Sequence, residues 1–113
     1  MNLTTERRGA IAIVRIAEAR VMYPMLGDFS TAVAPLVAGP QPKVLVDLSQ
    51  VTYVDSATIG CLMDLYRQVS TAGGQLKLAG VQKRVETMLA MTGAQHFIQI
   101  HADEPSAIKS FGG

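Results

Sequence analysis

The sequence is poor in the features that mark several large classes of protein. Its 113 residues include one cysteine, Cys61, which cannot form an internal disulfide. His96 and His101 have no cysteine or histidine companions at the spacing of a zinc site. Basic and acidic residues nearly balance, and a formal net charge of +1 predicts neither a nucleic-acid partner nor an anionic membrane surface. We therefore expect one core thiol, two ordinary histidines and no metal.

Long apolar runs are missing as well. Residues 9–14 form an apolar run that stops at Arg15, which is too short for a signal peptide or a membrane-spanning helix. Phosphate-binding loops of the G-x-G-x-x-G or P-loop kind do not occur, so no cofactor is predicted. Because there is no repeat or linker, we expect one domain over residues 1–113 that is soluble, cytoplasmic and not inserted in a membrane.

What the sequence does contain is an alternation of strand-like and helix-like segments. The predicted strands are residues 3–7, 9–16, 43–48, 75–80 and 96–100. The predicted helices are residues 28–37, a segment from Ser56 to the turn at Gly73, and residues 81–92 and 105–111. In the first helix, Asp28 or Ser30 is available as the N-cap. This order predicts an α/β fold with a largely parallel sheet and helices packed against it.

The helix that begins near Ser56 has the clearest pattern. Its predicted buried stripe consists of Ile59, Leu62, Tyr66 and Val69. Its predicted exposed side consists of Ser56, Gly60, Asp64 and Arg67. Ser56 stands in the first turn, where unpaired backbone N–H groups and the helix dipole favour a phosphate. Glycine costs roughly 1 kcal/mol relative to alanine inside a helix, so Gly60 suggests that another group approaches closely there.

Other interpretations of Asp55 and Ser56 remain open from the residues alone. Aspartate and serine are preferred at helix starts, and the pair would then be a cap that contributes about 1 kcal/mol of stability. A catalytic serine lacks a neighbouring base and the G-x-S-x-G turn, so an enzyme is less well supported. The stretch VLVDLSQVTYVDS resembles the phosphoacceptor strand of a response-regulator receiver, but Glu18 stands alone where such a domain needs an acidic pair.

Residues 44–93 read VLVDLSQVTYVDSATIGCLMDLYRQVSTAGGQLKLAGVQKRVETMLAMTG. In the order and spacing of the central strand, the D-S turn, the helix, the G-G strand and the helix ending in T-G, this segment resembles the STAS domain of bacterial anti-sigma factor antagonists. The resemblance implies a single α/β domain whose mixed sheet has four or five strands, with about four helices packed mainly on one face. It implies a bacterial binding protein that regulates transcription and is not an enzyme.

The resemblance also implies a partner and a switch. The unmodified antagonist would bind an anti-sigma factor with serine kinase activity and so free a sigma factor, until phosphorylation of Ser56 ended the binding; a phosphatase would reverse it. A phosphate adds about −1.5 to −2 charges beside Asp55, which brings repulsion and a desolvation cost. The residues expected at the docking face are Asp55, Ser56, Ala57, Thr58, Gly60, Met63 and Arg67. The open alternative is a STAS scaffold or accessory subunit of a stress-sensing or lipid-transport complex, in which Ser56 is not modified.

The chain departs from the family pattern in two places. Ala57 and Thr58 follow the predicted phosphoacceptor, where the family usually has a second Ser or Thr and then glycine. Arg20 stands near the place of the aspartate in a Gly-x-Leu-Asp turn that helps to form the partner surface. The identity of the partner therefore stays open.

Two further surface segments allow two interpretations each. Met22, Tyr23 and Met25 flank Pro24 and either form an apolar contact loop or pack under the first helix. The pair Lys83-Arg84 at the start of the third helix either meets an acidic patch of a partner or remains solvated.

Overall fold

A computed structural model of the chain describes residues 1–112, and within that range the fold has seven strands and four α-helices. The strands are β1 (Leu3–Arg8), β2 (Ile11–Ile16), β3 (Arg20–Val21), β4 (Lys43–Asp47), β5 (Tyr53–Val54), β6 (Gln75–Ala79) and β7 (Gln99–His101). The helices are α1 (Leu26–Val33), α2 (Ser56–Thr71), α3 (Lys83–Thr92) and α4 (Glu104–Ser110). The predicted α/β class is confirmed.

The main sheet has five strands in the order β1-β2-β4-β6-β7. β1 is antiparallel to β2, and all other neighbours in this sheet are parallel. The predicted mixed sheet is thus confirmed. β4 lies at its centre, where Val44, Leu45 and Val46 are fully buried because helices cover both faces of the sheet.

The core is divided between the two faces of this sheet. On the front face, α1, α2 and α3 pack their apolar stripes against β2, β4 and β6. On the rear face, Ala107 and Phe111 at α4 pack on Ile13 and Leu45. Since three helices lie in front and one behind, the expectation that helices pack mainly on one face is confirmed.

An arginine attaches the rear helix to the sheet edge. Arg15 of β2 donates from Nε and Nη2 to the two carboxylate oxygens of Glu104, at 2.7 and 2.8 Å, where α4 begins. Its Nη1 donates to Glu6 of β1 at 2.7 Å. The guanidinium bonds from Arg15 to Glu104 are the largest cause that holds the pKa of Glu104 down to about 2. One side chain therefore ties β1, β2 and α4 together.

A buried lysine holds the other end of the same helix. Lys77 of β6 is only 4% exposed, and its Nζ donates to the backbone oxygen and the hydroxyl of Ser110 at 2.9 and 2.7 Å. The ammonium group also lies 4.7 Å from the centre of the Phe111 ring. A cation at the C-terminal end of a helix is electrostatically favourable, so the lysine fastens α4 where its dipole is negative.

The first helix is built differently from the prediction. Neither Asp28 nor Ser30 is its cap, because α1 begins at Leu26 directly after a short 3₁₀ helix at Tyr23–Met25, with Met25 as an N-cap that makes no side-chain bond. The predicted helix at residues 28–37 also divides after Val33 into a 3₁₀ turn at Ala34–Leu36. Pro35 has no amide hydrogen to donate to the preceding turn, so the α-helix cannot continue through it.

Two other predictions about the front face were wrong in part. The predicted strand at residues 96–100 starts only at Gln99, because Gly93 takes a left-handed conformation with φ 79° and leads into a 3₁₀ turn at Ala94–His96. In α2 the buried stripe runs through Leu65 rather than Tyr66. Tyr66 is half-buried, with its ring 6.2 Å from that of Phe97.

Replacing Arg15 tests how far the rear helix depends on it. For Arg15→Gln we expect the free energy of unfolding near neutral pH to fall by about 2 kcal/mol, because charge-assisted bonds to Glu104 are lost. Glu104 has a lowered pKa in the fold, so its contribution is present above about pH 4.5 and lost as the pH falls towards 2. Urea unfolding at several pH values should therefore show that the free energy of unfolding falls less at acid pH in the variant than in the wild type.

Arg8→Gln is the matched control, since Arg8 pairs with Glu6 at 3.0 Å on the surface. We expect this variant to lose less than about 0.5 kcal/mol. Equal losses in the two variants would contradict the role given to Arg15.

Candidate functional site

The entrance of α2 is organised by the carboxylate of Asp55. This residue is the N-cap, in an extended conformation directly after β5. Its Oδ1 accepts hydrogen bonds from the backbone N–H of Thr58 at 2.9 Å and from the Thr58 hydroxyl at 2.7 Å. Its Oδ2 accepts from the backbone N–H of Tyr23 at 2.9 Å. Donation by the Thr58 hydroxyl, more than by the two backbone groups, lowers the pKa of Asp55, so the carboxylate is charged at neutral pH.

Thr58 belongs to the inside of this entrance and not to its surface. Its side chain was expected at the docking face, but the residue is 5% exposed. The hydroxyl lies 2.7 Å from Asp55 Oδ1 and 2.9 Å from the backbone oxygen of Val21, so its single proton stands between two acceptors. Thr58 therefore links α2 to β3, which explains why a hydroxyl is buried at this position.

Ser56 occupies the first helical position and is exposed, as predicted. Among residues 1–112 its hydroxyl makes no hydrogen bond, whereas Asp55 supplies the cap. The simple cap interpretation thus applies to Asp55 and not to Ser56. The hydroxyl stands free at the positively polarised end of a helix of 16 residues.

A surface groove runs from Ser56 along α2 to the turn that follows α3. This front groove is lined by Ser56, Ile59, Gly60, Met63, Asp64, Arg67, Thr92, Gly93, Ala94 and Phe97. It brings together four residues of the predicted docking face: Ser56, Gly60, Met63 and Arg67. Asp55 and Ala57 are half-buried at the entrance and do not line it.

Phe97 is the aromatic residue among those of this groove that sequence reasoning missed. It is 58% exposed and stands just after the 3₁₀ turn at Ala94–His96. The apolar spacing of residues 96–100 predicts a strand, and this prediction gave no reason to expect an exposed aromatic side chain. An exposed large aromatic residue is the kind of contact that protein interfaces use as an anchor.

Gly60 leaves the floor of the front groove open. A Cβ built at this position would meet no atom within 4 Å, so nothing in the fold itself requires glycine here. Further along the helix, Arg67 donates to Asp64 at 2.8 Å, and both side chains are well exposed. The groove therefore combines a smooth floor with charged and aromatic sides.

The segment after β3 is exposed in part and packed in part, so each of the two interpretations of its sequence holds for some of its residues. Tyr23 is 71% exposed, while Met22 and Met25 are half-buried. The backbone N–H of Tyr23 is bound to the Asp55 carboxylate, so the exposed residue lies beside the start of α2. Tyr23 therefore extends the accessible surface around the α2 entrance.

Other kinds of site find little support in the part of the chain that is described. Across residues 1–112, no three side chains of His, Cys, Asp or Glu converge in an arrangement that could hold a metal ion. Cys61 is half-buried, and burial raises the pKa of its thiol. No helix between residues 1 and 112 combines the length and the apolar character that crossing a bilayer requires.

Comparison with known proteins matches residues 2–107 to the STAS domain. A Thermotoga neapolitana protein, named as the homologue of a candidate anti-sigma factor antagonist, is 30% identical over 71 residues, which are 63% of each chain. A candidate protein named sulfate transporter 4.2, from Arabidopsis thaliana, is 38% identical over 55 residues, which are 49% of this chain and 8% of the transporter. The chain thus matches less than two thirds of the length of either relative.

Among solved structures, the crystal structure of a candidate anti-sigma factor antagonist from Thermotoga maritima has the same fold. Its TM-score with this chain is 0.87, the sequence identity is 18%, and the match covers 98% of this chain and 95% of the other. At this identity the likeness establishes the fold alone.

Replacing Asp55 tests the three bonds that its carboxylate accepts. For Asp55→Ala we expect a loss of roughly 2 to 3 kcal/mol in the free energy of unfolding near neutral pH, because the cap and the bond to Tyr23 both disappear. Asp103→Ala is the control, since Asp103 caps α4 and its carboxylate accepts from the backbone N–H of Ser106 at 2.9 Å. That variant loses a single cap and should lose clearly less stability than Asp55→Ala, and equal losses would show that the Tyr23 bond adds nothing.

Replacing Gly60 tests whether the fold itself needs the glycine. We expect Gly60→Ala to raise the free energy of unfolding by up to about 1 kcal/mol, because alanine favours the helix and its methyl group meets open space. Gly74→Ala should do the reverse, since its Cβ would collide with the backbone of Pro42. A destabilised Gly60→Ala protein in urea unfolding would contradict this account.

Proposed function

This chain belongs to the STAS domain family, and on that premise we propose that it is an anti-sigma factor antagonist controlled by phosphorylation of Ser56. In its unmodified form it binds an anti-sigma factor with serine kinase activity, which releases a sigma factor. It works as a binding module rather than an enzyme.

The observation that supports this proposal most is the state of the Ser56 hydroxyl. It is exposed, it makes no hydrogen bond among residues 1–112, and it follows the capping carboxylate of Asp55 directly. A kinase can reach such a group without unfolding the helix. The cap stays in place when the hydroxyl is modified, because Asp55 and not Ser56 makes it.

The physical basis of the switch is local electrostatics. A phosphoryl group adds about −1.5 to −2 charges next to Asp55, whose lowered pKa keeps it ionised. In a contact surface, these like charges repel each other and lose hydration, and each 1.4 kcal/mol lowers affinity about tenfold. Binding can therefore be switched off without a change of fold.

The front groove is the proposed contact surface. It joins Ser56 to the half-buried Met63 and the exposed Phe97, and the open floor at Gly60 lets another chain approach the helix closely. Methionine and phenylalanine provide adaptable and anchoring apolar contacts, and Arg67 provides charge at the far end. Asp55, Ala57 and Tyr23 border the groove entrance.

A second function, a STAS scaffold or accessory subunit, is favoured by a specific observation. The match to a candidate sulfate transporter is the higher in identity of the two curated relatives described, although it covers 8% of that protein. In that case the domain would serve a larger assembly, for instance in stress sensing or lipid transport, and Ser56 would not be modified.

Phosphorylation of Ser56 distinguishes the two functions. We expect incubation with ATP and a cognate anti-sigma factor of the serine kinase type to add one phosphoryl group to the peptide that contains Ser56. Mass spectrometry of a digest locates the group, and Ser56→Ala should accept none. If every such kinase of the source organism binds but leaves Ser56 unmodified, the result favours the scaffold function over the antagonist function.

Binding of the same kinase tests the switch itself. Ser56→Ala should bind at least as tightly as the wild type, and Ser56→Asp should bind about tenfold or more weakly, as measured by calorimetry. Ser70→Asp is the control, because Ser70 is exposed near the other end of α2. Equal affinities of the wild type, Ser56→Ala and Ser56→Asp would end the proposal.

A further inference from the structure

Two arginines share one tyrosine ring beside the entrance of α2. The parallel pairing of β3 with β5 sets Arg20 opposite Tyr53, and the Arg20 guanidinium carbon lies 5.0 Å from the ring centre. From the first turn of α3, the Arg84 guanidinium carbon comes to 5.7 Å from the same centre. These three residues form what we name the basic cluster.

The basic cluster lacks a counter-ion within the described chain. Between residues 1 and 112, Arg8, Arg15 and Arg67 each pair with a carboxylate, but Arg20 and Arg84 do not. Both are exposed, and their charges lie within roughly one Debye length, about 10 Å, of each other. Two like charges held together without an anion are electrostatically unfavourable, so the site is set to attract a negative group.

The tyrosine makes this attraction more selective than that of free surface arginines. A guanidinium group stacked on an aromatic ring keeps its hydrogen-bond donors at the edge, pointing to solvent. Because the ring already orders both side chains, less conformational entropy is lost when they bind a carboxylate. Lys83, also exposed, adds a third positive charge next to Arg84 in sequence.

The position of the basic cluster connects it with the proposed switch. Tyr53 is separated from Asp55 by one residue, and Ser56 follows. A protein that docks on Ser56 therefore comes close to Arg20 and Arg84 in the same encounter.

We infer that the basic cluster binds a carboxylate-rich patch on the protein partner that docks at Ser56, an inference that rests on the proposed function. The complementary charge is expected on a protein rather than a nucleic acid. A net charge of +1 and the carboxylate of Asp55, two residues after Tyr53, oppose a run of phosphates, whereas a few Asp or Glu side chains match two arginines. The partner surface is thus acidic opposite the basic cluster.

The first test needs no partner. Isotope-labelled protein is titrated with hexaglutamate, and we expect saturable NMR shifts of the Arg20 and Arg84 side-chain N–H groups. The double variant Arg20→Gln/Arg84→Gln should bind the peptide about fivefold more weakly or worse. Arg7→Gln is the control, because Arg7 is exposed on β1 and makes no ion pair within residues 1–112. Equal weakening by the control, or tighter binding of a thymidine hexanucleotide, overturns the inference.

The second test uses the kinase identified by phosphorylation of Ser56. We expect Arg20→Glu/Arg84→Glu to bind it about tenfold more weakly at low salt, and the difference to shrink as salt screens the charges. Circular dichroism confirms that the variant is folded. Equal affinity of wild type and variant overturns the inference but leaves the proposed function intact. If no kinase binds the wild type, the proposed function fails, and the hexaglutamate titration alone decides about the basic cluster.

Discussion

One carboxylate organises the surface on which the proposed function depends. Asp55 accepts hydrogen bonds from the backbone N–H and the hydroxyl of Thr58 in α2 and from the backbone N–H of Tyr23 after β3, so a helix start and a remote loop are fixed to the same side chain. This cap is complete without Ser56, whose hydroxyl makes no hydrogen bond within residues 1–112. An exposed hydroxyl therefore stands at the helix start that Asp55 fixes, with Tyr23 held beside it.

The sheet separates this surface from the parts that stabilise the fold. In front, Ser56, Asp64 and Arg67 of α2 face solvent, and the front groove has an open floor at Gly60. Behind, the half-buried Arg15 and the buried Lys77 hold the two ends of α4. A charge change at Ser56 thus acts on an exposed surface, while the ion pairs that secure the rear helix lie across the sheet.

Sequence patterns predicted the elements whose pattern of buried residues fits only one kind of secondary structure. The run of β4 and the period of α2 predicted a central strand and its following helix, and with them the exposure of Ser56. Patterns could not find β3 and β5, because strands of two residues have no period and depend on contacts such as that of the Thr52 backbone N–H with the Ala19 oxygen at 2.7 Å. Phe97 was assigned to a strand because apolar spacing does not reveal the left-handed turn at Gly93.

The outer edge of the main sheet has a consequence for how the protein behaves at high concentration. β1 is an edge strand whose far side has no neighbour in the sheet, and such an edge can recruit a strand from another molecule. Its exposed side chains are Thr4, Thr5, Arg7 and Arg8, which are hydrophilic and in part positively charged. Repulsion between two such edges discourages self-association into extended β-structures. The charges of β1 thereby protect this edge of the sheet against pairing with a second copy of itself.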